Sequence, residues 1–370
     1  MLHSQAYCAF FSMQIQEELK IFKSRLDPLI DAYFDTVLKD GMKEDDLVAE
    51  ALNHARSIVL SGGKRLRAAF MYYGYIGAGG TEEEKMLNTS MSVELIHAFL
   101  LVHDDIIDRD EIRHGVPTLH QRYTEFGRRF FPERDVIHFG NSIAMIIGDM
   151  LYSFGNDILF RADFPKERVF AALSRLQNVV SFTVVGQARD IYMEYKREAT
   201  EKEILMMYRN KTAKYTVEGP LHLGGILAGA PERLLIDFSA YALPLGIAFQ
   251  IQDDILGIFG SAEQIGKPLG SDIQEGKLTL LVARALRNGS GVQKKRLKEI
   301  LSRGPALTLG EGQEFRDIIR ETGSLDQVKV LAQEYITEGR TALEKLRIQV
   351  TPRAYEFFDG VAEYMTKRDF

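Results

Sequence analysis

The chain has 370 residues, enough to bury a substantial core in one large domain or two ordinary ones. Its formal net charge of -6 provides no basic field of the kind that drives nucleic-acid binding, so any anionic ligand must be held by a local cluster. The single cysteine, Cys8, cannot form an internal disulfide and no signal-peptide charge pattern precedes it, which points to a reducing cytoplasm. No apolar run approaches the roughly 20 residues that span a bilayer, so no membrane span is expected.

Ten prolines and long segments with apolar residues three and four apart predict an all-α fold. Successive helices are expected over Met13–Leu38, Asp46–Leu60, Leu66–Tyr75 and Glu82–Asp108, with Ser61, Gly62 and Gly63 separating the second from the third. The aromatic and arginine-rich stretch Tyr123–Asp135 reads as an inserted loop or a broken helix. Further helices are expected over His138–Phe160, Lys166–Tyr195, Thr200–Ala228 and Leu234–Phe259. From about Ser290 onward the sequence is polar and helix-forming, with little motif content. No composition break divides the chain, so a single domain is expected.

One feature recurs. An apolar helix runs into the aspartates Asp104, Asp105 and Asp108, and another runs into Asp253 and Asp254. Asp104 and Asp108 are four apart and share a helix face, and carboxylates at a helix C-terminus oppose the helix dipole. A solvated acidic turn would account for one such cluster. Two clusters facing each other across a bundle would offer the hard oxygen ligands that Mg²⁺ requires, with a phosphorylated substrate as the bridge. Cationic side chains supply the other half: Lys64, Arg65 and Arg67 follow the Gly-Gly turn, and Arg113, Lys211, Lys267 and Lys277 recur after apolar stretches.

These residues stand in "GGKRLR" (Gly62–Arg67), "HDDIID" (His103–Asp108), "RHGVPTLH" (Arg113–His120), "GQARD" (Gly186–Asp190), "KT" (Lys211–Thr212), "FQIQDDILG" (Phe249–Gly257) and "GKPLGSDIQEGK" (Gly266–Lys277). In that order, over about residues 29–281, the motifs resemble the trans-type, head-to-tail polyprenyl diphosphate synthases. The resemblance implies an all-α bundle around a central cavity, commonly homodimeric, that condenses isopentenyl diphosphate with allylic diphosphates. It implies that Asp104, Asp108 and Asp253 bind Mg²⁺, three ions per site, with Asp105, Asp190 and Asp254 in or near that shell. Lys64, Arg67 and His97 match positions that hold isopentenyl diphosphate. Arg113, Lys211, Lys267 and Lys277 match those that grip the allylic diphosphate, with Thr212 and Gln250 beside the reacting carbon.

Two positions depart from the family pattern. His114 stands where a second arginine is usual, and Gly257 where many members carry a third aspartate. Phe99, five residues before Asp104, lies roughly 7.5 Å further up the helix. An aromatic there beside the non-aromatic Leu100 resembles the short-chain geranylgeranyl (C20) pattern, with C15 and C25 products as alternatives. A class I terpene cyclase should lack the second diphosphate site, and a non-catalytic subunit should have lost an aspartate motif. His103, His120 and Tyr215 receive no role.

Overall fold

The computed structural model describes residues 2–39, 45–260 and 271–366. The chain order is α1 (Leu2–Lys39), α2 (Asp46–Ser61), α3 (Leu66–Gly77), α4 (Glu83–Asp108), a small antiparallel hairpin of β1 (Ile112–Arg113) and β2 (Val116–Pro117), α5 (Leu119–Phe130), α6 (Val136–Phe160) and α7 (Lys166–Lys196). Then follow α8 (Glu201–Tyr208), a π-helical stretch (Arg209–Glu218), α9 (Gly219–Ala228), α10 (Glu232–Phe259), α11 (Ser271–Glu275), α12 (Leu280–Asn288), α13 (Gly291–Leu301), a 3₁₀ turn (Gly304–Ala306), α14 (Leu309–Glu321), α15 (Ser324–Leu346) and α16 (Pro352–Thr366). The all-α expectation holds, with the hairpin as the one sheet among the described residues.

Local signals explain several boundaries. Asp45 caps α2 by accepting from the backbone N–H groups of Leu47 and Val48, both at 3.1 Å. Thr200 and Glu203 form a reciprocal capping box that starts α8. Two expectations are refined. The single helix expected over Thr200–Ala228 widens in its middle into the π stretch, where Gly219 N–H donates to the Lys214 carbonyl five residues back. Pro220 has no N–H and would clash in a regular turn, and the wider turn before it accommodates the ring. Of the two readings of Tyr123–Asp135, the broken helix holds: α5 runs to Phe130, and residues 131–135, which contain Pro132, break it from α6. Tyr123 is fully buried, which ties α5 to the core.

Buried side chains form two clusters. The larger draws on α1 to α7, α9, the first half of α10 and α16. The smaller comprises α8, the end of α10 and α12 to α15, with Ile255, Ile258 and Phe315 in it. Helix α4 is central and buries residues on nearly all its faces, as an all-round apolar helix must. It packs against α3 and α6, while α10 packs against α15 and the π stretch. The sequence reading of apolar runs needs one correction. Three helices, Val136–Phe160, Lys166–Lys196 and Glu232–Phe259, are long and apolar enough by length and composition to cross a membrane. Interspersed small polar residues hide this when only unbroken runs are counted. About two-thirds of the apolar window in α10 is buried inside the protein.

Candidate active site

A cleft of about 550 Å³ opens where residues of the two buried clusters meet. It gathers Lys64, Arg67, His97, Asp104, Asp108, Arg113, His114, Asp190, Lys211, Gln250, Asp253, Asp254 and Lys277 on one surface. These residues are scattered over more than 200 positions of sequence. Thr212 lies just behind the wall. Lys267 lies outside the described residues.

The carboxylate end is built from three helices. Asp104 and Asp108 point into the cleft from the last two turns of α4, and Asp104 accepts a hydrogen bond from Gln187 Nε2 on α7 at 2.6 Å. Lys277 Nζ lies 3.2 Å from Asp108 and 3.7 Å from Asp272, and it also pairs with Glu275. Lys211 Nζ donates to Asp190 at 2.8 Å. Burial opposes the charge on Lys211, but the carboxylates of Asp104 and Asp190 outweigh it and hold the ammonium protonated. Lys277 is held charged in the same way, chiefly by Asp272 and Asp108.

On α10 a hydrogen-bonded chain runs from Thr212, whose hydroxyl donates to Gln250 Oε1 at 2.5 Å, through Gln250 Nε2, which donates to Asp254 at 2.8 Å. The Tyr208 hydroxyl also donates to Asp254 and accepts from Leu280 N–H at 3.2 Å. Burial pushes the Asp254 carboxyl up to about 8, with Asp272 adding repulsion. Asp253, beside it, lines the cleft.

These donors suit magnesium. Among the described residues no three carboxylate or histidine groups form a closed metal cage. Mg²⁺ is commonly held by one or two carboxylates, with phosphate oxygens and water completing its octahedron, which opposed single aspartates can provide.

The family model for polyprenyl synthetase matches residues 48–310. The chain belongs to the polyprenyl synthetase family. It is 32% identical over 358 residues to the geranylgeranyl diphosphate synthase of Methanosarcina mazei, covering 97% of this chain and 99% of that one. It is 28% identical to the geranylfarnesyl diphosphate synthase of Natronomonas pharaonis, covering 85% and 89%. Among solved structures it resembles a geranylgeranyl pyrophosphate synthase from Corynebacterium glutamicum complexed with isoprenyl diphosphate and magnesium, with a TM-score of 0.88 and 30% identity over 94% of this chain and 99% of that one.

Several motif residues take positions that the polyprenyl synthetase pattern alone does not disclose. Asp105 turns away from the cleft: it is 1% exposed and pairs with Arg113, whose Nε lies 2.6 Å from its Oδ1 and whose Nη2 also reaches Asp110 at 3.3 Å. Arg65 likewise serves the fold, bonding Asp27 and the Val59 carbonyl at 2.7 and 2.6 Å. Phe99 and Leu100 are half-buried and are not among the residues lining the cleft. The Phe99 ring packs on His103 at 4.8 Å and on Tyr152 at 5.1 Å.

The two departures have structural counterparts. His114 adopts a left-handed backbone (φ 49°), and a Cβ at Gly62 would come within 2.5 Å of its ring. Burial, then the charge of Arg113, pushes the His114 imidazole below its usual pKa, so it is neutral at pH 7. A Cβ at Gly257 would stand 1.9 Å from Asp272 Oδ2, so the Asp272 carboxylate takes the space that a side chain at 257 would need. Sequence reasoning assigned nothing to Gln187, Tyr208, Asp272 or Tyr364. Gln187 and Asp272 sit inside recognised motifs, whereas Tyr364 arrives from α16 with no sequence signal. Its hydroxyl accepts from Lys64, and its ring centroid lies 4.7 Å from the ammonium.

Burial also depresses the pKa of His54, His97, His120 and His222, making five neutral histidines with His114. Below pH 6.5 the unfolded chain takes up protons that the folded chain resists, so stability is lost as pH falls, most from the buried His97, His120 and His222 and least from the solvent-screened His114. Asp254 and Glu194, both raised by burial, act in the opposite sense but are fewer. The melting temperature is expected to fall steadily from pH 6.5 to 5 in thermal-shift measurements, and a flat or rising profile would contradict this.

Proposed function

We propose that the chain is a Mg²⁺-dependent prenyltransferase that condenses isopentenyl diphosphate with dimethylallyl, geranyl and farnesyl diphosphates, giving geranylgeranyl diphosphate (C20) as its main product. The observation that carries this reading is a single cleft lined both by aspartates from α4 and α10 and by the cations Lys64, Arg67 and Arg113. Farnesyl and geranylfarnesyl products are the alternatives.

Asp104, Asp108 and Asp253 would hold the metal, three ions with substrate bound, and Asp272 would stand in for the carboxylate absent at Gly257. Bound magnesium supplies neutralisation of the charge that builds on the departing diphosphate. Lys211 and Lys277 exchange their carboxylate partners for that diphosphate, with Arg113 and Lys267 alongside, and this favours scission of the allylic C–O bond. The Lys211 carbonyl, the Thr212 oxygen and Gln250 Oε1 turn negative dipole ends toward the allylic cation; the Thr212 proton is already committed to Gln250. Lys64, Arg67, His97 and His114 hold isopentenyl diphosphate, whose double bond attacks the cation, and the released pyrophosphate takes the proton. The chain acts as one domain in the cytoplasm. A second copy covers the apolar side chains exposed on α6 and α7, such as Ile146 (57%), Phe170 (60%) and Val185 (57%).

The test is incubation with Mg²⁺, isopentenyl diphosphate and each allylic diphosphate, with chromatography of the dephosphorylated products. Elongation to C20 is expected, and no elongation of any primer defeats the reading. Phe99 and its neighbour Tyr152 stand behind the cleft lining, beside Ala98 and Leu101, and would limit the hydrocarbon from there, so Phe99→Ala is expected to shift the main product by one or more five-carbon units. An unchanged product distribution would remove Phe99 from that role.

A further inference from the structure

Tyr215 has no part in the reaction outlined above, yet it lies among residues that do. It sits on the π-helical stretch with Lys211 and Thr212, is 6% exposed, and its buried hydroxyl makes no well-formed hydrogen bond, with the Arg67 guanidinium as the cation acting on it. Two groups on the cleft wall share that condition, Arg67 Nε and His97 Nδ1. Both belong to residues that meet at the Tyr215 ring. The Arg67 guanidinium carbon stands 4.7 Å from the ring centroid. The His97 imidazole lies 5.9 Å away, tilted by 49°.

Buried polar groups without partners destabilise a fold, so several on one wall mark a place that a polar ligand completes. Arg67 has one hydrogen bond to the π stretch, from Nη2 to Thr216 Oγ1 at 3.0 Å. A single bond leaves a guanidinium free to pivot, and an aromatic face beneath it removes much of that freedom while attracting the charge.

We infer that Tyr215 is a positioning residue for the isopentenyl diphosphate subsite. Its ring holds Arg67 in the orientation that presents unpaired N–H groups to the diphosphate, and it backs His97 in the same wall. Tyr215 is not itself among the lining residues, so it acts through Arg67. The same helical stretch thus serves both substrates, with Lys211 and Thr212 toward the allylic diphosphate and Tyr215 and Thr216 toward its partner. This inference rests on the reading of the cleft given under Proposed function.

The experiment varies the two substrates independently and adds calorimetric titration of isopentenyl diphosphate into the full-length protein. Tyr215→Leu, which removes the ring, is expected to raise the KM for isopentenyl diphosphate and weaken its calorimetric affinity by about tenfold. The KM for geranyl diphosphate and the kcat should stay within about twofold, because the allylic half keeps its own contacts. Tyr215→Phe keeps the ring and should hold the isopentenyl diphosphate KM within about threefold. In an Arg67→Gln background, Tyr215→Leu should add no further loss, since its effect passes through Arg67.

Three results would overturn the inference: an unchanged KM in Tyr215→Leu, an equal rise for both substrates, or an equal loss in Tyr215→Phe. The double-variant comparison separates a lost clamp from general damage, because damage would add to the Arg67→Gln loss. If the wild-type protein elongates no primer, the proposed reaction fails, and the calorimetric comparison still decides whether Tyr215 supports binding.

Discussion

Asp104→Asn is expected to lower kcat on the order of 10³-fold while moving the melting temperature by no more than about 2 °C. The substitution preserves shape and an acceptor for Gln187, whose Nε2 now donates to Asp104 at 2.6 Å. What it removes is a negative charge from the cleft that the α10 aspartates also line, and with it one of the hard anionic ligands proposed for magnesium. Product formation at saturating Mg²⁺, set beside a thermal melt, measures both quantities. Near-normal turnover in a folded Asp104→Asn protein would place the metal elsewhere.

The neighbouring residue should behave differently. Asp105→Ala is expected to destabilise the protein by about 3 kcal/mol, because it strands a buried guanidinium. The Arg113 side chain is 12% exposed and that of Asp105 is 2% exposed, so water cannot replace the lost carboxylate. Asp110 remains within 3.3 Å, which keeps the loss at the lower end for such a pair. The melting temperature should fall by roughly 4 °C. Activity should fall as well, since Arg113 loses the anchor that aims it at the cleft, and Asp105→Asn should recover part of the stability by keeping one acceptor. A melt of Asp105→Ala that matches the wild type would show that the ion pair contributes nothing to the fold.

The contrast shows how far sequence reasoning reaches. Helical periodicity placed Asp104 and Asp108 on one face of α4, and they do share the cleft. Periodicity could not say that Asp105 points elsewhere, because its partner arrives through the hairpin of β1 and β2, which turns Arg113 back against the helix end. The same limit explains Arg65, which composition groups with Lys64 and Arg67. Its left-handed backbone (φ 54°) at the start of α3 turns it into the core against Asp27 and Glu94. Tyr364 could not be found at all, since nothing in a polar C-terminal helix indicates that it ends beside Lys64.

The sequence by itself determined the helical class, both ends of α2 to α4, α6, α7 and α10 to within about two residues, and the residue types able to handle two diphosphates and a hard cation. Those follow from interactions a few residues apart: apolar spacing, capping side chains and paired aspartates. The tertiary structure decided which of two adjacent aspartates faces the cleft, which arginine is structural, that Asp272 occupies the space beside Gly257, and that Tyr215 lies beneath Arg67. Each of those depends on burial and on a partner distant in sequence or presented by a turn, and the resulting exclusion of water gives a charge or a ring its role.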